Sequence, residues 1–313
     1  MIQRLAAIYP AYFTSTPSTH AAHHAFKSHD LISPTGIEGL HQIGNSPSIL
    51  RLYQSLGVRY ATLTWNCHNR FADAAIITEN HTNTFVASPL HHGLSAAGRD
   101  LVLEMNRIGM LVDLSHVSDE TMRSTLVGND TLSATDPITG QQAPWKGSIA
   151  PPIFSHSSAR SLCPHPRNVP DDILMLVKER NGIVMVNFNP DFISCSPPPP
   201  DSVSRMPVFE KENNTLAQVA RHIMHIGQLI GYEHVGLGSD FDGIEHVPEG
   251  LEDVSKFPDL VAELLRNGVS KKEVKGVVGE NILRVWKEAE RVSEMLKRKG
   301  ARVLEDDVHW PEK

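Results

Sequence analysis

From residue 31 onward the chain alternates between short apolar runs of strand type and longer segments whose apolar residues recur at helical spacing. The strand-type runs fall at 32–38, 60–65, 110–116, 149–156, 183–188 and 234–241, the first of them weakly apolar. Between them helical patterns cover 46–56, 96–108, 118–126, 170–179 and 215–230, the first opened by Ser46 as a capping residue. This alternation predicts a parallel sheet with crossover helices. The run Ile-Val-Met-Val-Asn-Phe at 183–188 is apolar at nearly every position, which predicts strands buried on both faces, as in a barrel or a doubly wound sheet. The tail 256–298 reads as helix interrupted at Gly268 and Gly279. Residues 1–30 show no apolar period and scatter Ser, Thr, Pro and His, so they are expected to be irregular, with 31–313 as one domain.

Charge and composition narrow the partners. With 29 Lys+Arg against 36 Asp+Glu the net charge is −7, which gives no general attraction for nucleic acid or anionic lipid. No apolar run approaches the roughly 18–20 residues needed to span a bilayer. The N-terminal stretch has no apolar signal core, so a cytoplasmic protein is expected. Seventeen histidines against three cysteines direct attention to imidazole chemistry.

Polar residues sit at the C-terminal ends of the predicted strands, where α/β folds place their chemistry. MLVDLSH ends in His116, IFSHSS carries His156, GLGSDFDG supplies Asp240 and Asp242, and the weak first strand leads into Glu38 and His41. A lone histidine at a strand end is usually structural; two histidines and two acids at successive strand ends point to a metal site, with Zn, Fe or Mn suited to the set. Other motifs fail. Phe241 stands where a dinucleotide loop needs its third glycine, Asp240 to Gly243 is too short for an EF-hand, and no G-x-S-x-G elbow makes Ser155 or Ser157 a nucleophile.

The segments GIEGLHQIGNS around Glu38, LGVRYATLTWNCHN (56–69), DLSHVSDETM (113–122), IFSHSSARSLCPHPRNVPDDIL (153–174), VMVNF (184–188) and LGSDFDGIEHVPEGLEDVSKFPDL (237–260) resemble the renal or membrane dipeptidase family. The resemblance implies a (β/α)8 TIM-type barrel, two zinc ions at the C-terminal mouth, and hydrolysis of dipeptides, including cysteinylglycine units from glutathione. By position, Glu38 matches the bridging carboxylate, His116 and His156 the imidazoles of one zinc, and Asp240 the acid that handles the proton of the attacking water or leaving amine. Arg167 matches the residue that holds the substrate carboxylate, and His41 and Trp65 fall in the substrate-binding region. The family's opening Asp-x-His-x-Asp motif has no counterpart here, and Trp65 stands where the family carries histidine. Six strands are found where a closed barrel has eight, so a barrel incomplete at its N-terminus, holding one or two ions, is expected. A non-catalytic binding or scaffold protein that keeps one metal site is the alternative, and an amide hydrolase or deaminase on the same barrel a third. The family pairs the cysteines at positions 163 and 195, but without a signal peptide all three cysteines are expected reduced. A small dipeptide is the expected partner, and the family's habit implies a homodimer.

Overall fold

The protein is described as a computed structural model covering residues 2–10, 12–14, 16–80 and 83–306. Its centre is a six-stranded parallel sheet. In chain order the strands are β1 (Thr35–Glu38), β2 (Val58–Thr62), β3 (Leu111–Asp113), β4 (Ile153–Phe154), β5 (Ile183–Val186) and β6 (Val235–Leu237), each hydrogen-bonded to its predecessor. The crossovers are helices α1 (Pro47–Ser55), α2 (Ala96–Ile108), α3 (Asp119–Val127), α4 (Asp171–Glu179) and α5 (Leu216–Ile230). Four of them begin on a hydroxyl that accepts a backbone N–H of the first turn: Ser46, Ser95, Ser118 and Thr215. The fifth follows Pro170 and carries Asp171 and Asp172 in its first turn, where acids favour the helix dipole.

Period-two alternation sends the two halves of each apolar run to opposite sides. Ile37, Ala61, Val112, Phe154 and Val184 belong to the core shared with Leu101, Met105, Leu174, Ile223 and Ile226 of the crossover helices. Their neighbours Leu111, Ile153 and Ile183 belong to a second core, with Val285, Trp286, Ala289, Val292 and Leu296 of the last helix, α7 (Asn281–Arg298). That second burial explains why the strand runs are apolar throughout. The predicted helical tail is α6 (Phe257–Arg266), a short helix Lys271–Lys275 and α7, with breaks after Gly268 and around Gly279 as the sequence indicates.

Two features differ from the sequence reading. The first thirty residues are not irregular: Ile2–Ile8 and Thr19–Lys27 are helical, and Phe13–Thr14 pairs in parallel with Leu31–Ile32. Ser18 caps the second helix, Ala22 and Ala25 are fully buried, and Glu290 of α7 accepts hydrogen bonds from the Thr19 N–H and hydroxyl. A buried stripe of Thr and Ala carries too little hydropathy to register as an apolar period. Two antiparallel hairpins, Ile76–Glu79 with Asn83–Val86 and Asn129–Thr135 with Gln142–Trp145, were also not anticipated; they lie in the connections after β2 and α3. Among the described residues no helix is long and apolar enough to cross a membrane.

His222 of α5 is a buried structural histidine. Its Nδ1 accepts from the Ala159 N–H at 3.1 Å and its Nε2 donates to the Ile193 carbonyl at 2.9 Å, so a second ring proton would face a donor. Burial pulls its pKa from the ordinary 6.5 down to about 4. The unfolded chain takes up this proton as pH falls below 6.5 while the native chain does not until about 4, so stability is lost across that window, by roughly 3 kcal/mol from this residue. Urea midpoints measured between pH 7 and pH 4 are expected to fall more steeply for the wild type than for His222→Gln; parallel slopes would show that His222 does not set acid sensitivity.

Candidate metal centre

The strand register builds one wall of the site. Glu38 of β1 pairs with Thr62 of β2, and Thr62 with Asp113 of β3. Aligned residues of neighbouring strands share a face, so these three side chains form a row on the side away from the crossover helices, at the C-terminal edge of the sheet. His116 lies just beyond β3 in a left-handed backbone conformation (φ 71°), with its carbonyl taking the Ala75 N–H at 2.7 Å. Left-handed conformation at a non-glycine residue costs energy and here turns the imidazole back over the strand ends. His156 follows β4, its N–H held by the Ser115 hydroxyl at 3.0 Å.

Three donor atoms converge. The Nε2 atoms of His116 and His156 are 3.0 Å apart, and Oε1 of Glu38 lies 2.9 Å from the first and 3.4 Å from the second. The opposite ring nitrogens determine where the protons are. Ser155 Oγ lies 2.5 Å from Asp113 Oδ2 and 2.7 Å from His156 Nδ1. The carboxylate cannot donate, so the hydroxyl donates to it and must accept from His156 Nδ1–H. Asn66 spends its amide N–H on Thr78 and turns Oδ1 to His116 Nδ1 at 2.9 Å, which fixes the same tautomer there. Burial, with the charge of Arg167, holds the His116 pKa well below its ordinary value, so this ring is neutral. With these tautomers, neutral rings turn their Nε2 lone pairs toward one another and toward Oε1 of Glu38. A divalent cation fits such a set, and imidazole with carboxylate suits Zn, Fe or Mn.

Asp113, Ser155 and Asn66 were not singled out by the sequence reading, which weighed Ser155 only as a nucleophile. Asp113 is fully buried and accepts from Thr62 Oγ1, the Ser115 N–H, the Ser155 N–H and the Ser155 hydroxyl. An acid inside an otherwise apolar strand was the available signal, since a buried carboxylate needs several donors.

Asp240 (φ 62°) receives the Asn187 amide at 3.2 Å, and Gly243 leaves no room for a Cβ against its carboxylate. With Glu38, Tyr60, Thr62, Ser155 and His156 it lines a cavity of about 160 Å³. Arg167 is buried (3% exposed), its guanidinium 5.0 Å from the Phe192 ring centroid, and its Nε and Nη2 have no hydrogen-bond partner. Burial pulls its pKa down to about 10 against the opposing charges of Asp240, Glu38 and Asp113. Trp65 is 42% exposed, 6.3 Å from the His116 ring. His41 is exposed on the turn Leu40–Ile43, folded against Gly39, and stands outside the donor cluster.

The loop carrying Arg167 is fastened from within. Asn168 Oδ1 accepts the Ser158 N–H, and its Nδ2 donates to the carbonyls of Cys163 and Phe192. The expectation of three reduced cysteines is corrected here: Cys163 and Cys195 are disulfide-bonded, with Cα atoms 4.9 Å apart, and Cys67 is free. The loop after β4 and the turn Pro190–Ile193 run side by side, which brings the two thiols together.

Residues 1–300 match a protein-family model described as membrane dipeptidase (peptidase family M19). The chain is 48% identical over 311 residues to an uncharacterized dipeptidase of Schizosaccharomyces pombe, covering 99% of this chain and 64% of that protein. It is 44% identical over 310 residues to dipeptidase aclJ of Aspergillus oryzae, covering 98% and 63%. The chain thus spans just under two thirds of the length of these relatives. Among solved structures, a metallopeptidase from Rhodobacter sphaeroides liganded with a phosphinate mimic of the dipeptide L-Ala-D-Ala superposes with a TM-score of 0.69 at 25% identity, covering 88% of this chain and 69% of that one.

Loaded with a divalent metal and passed through gel filtration, the wild-type chain is expected to retain it by elemental analysis. His116→Ala and His156→Ala, each lacking one donor, are expected to emerge metal-free with unchanged circular dichroism. Equal metal in all three would place the ion elsewhere.

Proposed function

This chain belongs to the membrane dipeptidase family, peptidase family M19, and from that membership we propose that it hydrolyses the peptide bond of dipeptides at a metal centre formed by Glu38, His116 and His156. The observation that carries this reading is the convergence of one possible ligand atom from each of the three side chains on a single point. The solved metallopeptidase that holds a dipeptide mimic supports a ligand of that size. We take the metal to be zinc; when bound, it supplies a nucleophilic hydroxide at neutral pH and polarises the scissile carbonyl.

The protein's own groups account for the rest. Asp240 lines the same cavity as Glu38 and His156, so it accepts the proton of the attacking water and returns it to the leaving amine. Arg167 is a guanidinium fork with unpaired N–H groups buried against Phe192. A buried cation of this kind calls for an anion, and the free carboxylate of a dipeptide supplies one. Trp65 offers an exposed indole beside His116 and flanks the bound substrate. Cysteinylglycine-type dipeptides are the first substrates to test. The scaffold reading keeps the same donor set and is not separated by it; the relatives named as dipeptidases favour hydrolysis.

We also infer that the sheet is an arc of a (β/α)8 barrel. Its strand order follows chain order with no reversal, as around a barrel, whereas a doubly wound sheet reverses at its switch point.

The role given to Arg167 predicts that a dipeptide is hydrolysed far better than its C-terminal amide, by roughly 100-fold or more in kcat/KM, as loss of one partner of a buried charged pair implies. Arg167→Lys keeps the charge but not the fork and is expected to raise KM for the free dipeptide more than it lowers kcat. Equal turnover of dipeptide and amide by the wild type would remove Arg167 from substrate recognition.

A further inference from the structure

The two imidazoles of the cluster are braced by different chemistry. His116 Nδ1–H donates to a neutral amide oxygen, Asn66 Oδ1, at 2.9 Å. His156 Nδ1–H donates to the Ser155 hydroxyl at 2.7 Å, and that hydroxyl donates to the Asp113 carboxylate at 2.5 Å. Asp113 is fully buried and anchored by two backbone N–H groups and Thr62 as well, so its carboxylate is held in place away from solvent.

We propose that Asp113 and Ser155 form a carboxylate–hydroxyl–imidazole relay that makes His156 the stronger of the two imidazole donors and so sets the affinity of the metal centre; this rests on the metal-centre reading above. The physical reason is polarisation. A carboxylate that pulls the Ser155 proton leaves the hydroxyl oxygen a better acceptor for His156 Nδ1–H, and a ring whose Nδ1–H is so engaged has more electron density at Nε2. Asn66 brings a dipole and no charge, so His116 gains orientation with little added donor strength. Asp113 and Ser155 are positioning residues: Asp113 is not in the converging donor set, and Ser155 Oγ engages His156 at Nδ1, the nitrogen opposite the converging Nε2.

The test uses Co²⁺ as the probe, with affinity measured by competition against a chromophoric chelator and the ligand field read from the visible spectrum of the Co²⁺-loaded chain. Ser155→Ala keeps every backbone donor to Asp113. It is expected to weaken Co²⁺ binding by about 10- to 100-fold, the range for loss of a group that supports a metal-ligating histidine, and to shift the visible bands. Ser155→Thr, which keeps the hydroxyl, is expected to restore both, and Asn66→Ala to weaken binding less than Ser155→Ala does. Circular dichroism of the metal-free variants separates these effects from misfolding. Wild-type binding with Ser155→Ala unchanged, or Asn66→Ala the more damaging, would overturn the relay and leave the metal centre standing. A wild-type chain that takes up no Co²⁺ would overturn the metal-centre reading and the relay with it.

Discussion

Two imidazole nitrogens held 3.0 Å apart beside a carboxylate oxygen repel one another when the rings are neutral, unless a cation lies between them. Each buried acceptor left without a partner costs about 1–3 kcal/mol, and the two buried imidazoles together take a noticeable share of the roughly 5–15 kcal/mol that keeps a domain folded. A divalent ion reverses the sign, since its binding free energy adds to that of folding. The rest of the molecule around the cluster serves to keep the rings from turning away. Asn66 and Ser155 hold the Nδ1 atoms, Asp113 holds Ser155, and the strand register holds Asp113 level with Glu38.

The sheet makes that constraint affordable. Its lower part is buried on both faces, by the crossover helices on one side and by α7 on the other, so strand positions are set by apolar packing far from the polar edge. The row Glu38, Thr62, Asp113 then appears where the second core ends. Arg167 depends on the same logic in a different layer: Asn168, the Cys163–Cys195 disulfide and Phe192 fix a buried cation whose two nitrogens lack protein partners. Both features leave valence unsatisfied within the protein, one asking for a cation and one for an anion.

Much of this was legible in the chain. The strand and helix alternation located the six strands of the central sheet and its five crossovers, because a sheet buried on both faces leaves continuous apolar runs such as 183–188 between helical segments. His116, His156 and Glu38 were legible because polar residues at consecutive strand ends have a shared destination. The supporting residues were not. Asp113, Ser155 and Asn66 act through hydrogen bonds that cross between strands and loops, and no local pattern encodes which hydroxyl faces which carboxylate. The helix Thr19–Lys27 escaped because its buried face is Thr and Ala, and the disulfide because compartment reasoning stood in for the adjacency of two loops.

Anomalous diffraction at the zinc absorption edge, from crystals grown with zinc, tests the central claim most directly. The account predicts a peak bounded by Glu38 Oε1, His116 Nε2 and His156 Nε2, at about 2.0–2.2 Å from each. A well-ordered site with no peak, and with the two imidazoles turned apart or hydrogen-bonded to water through Nε2, would contradict it.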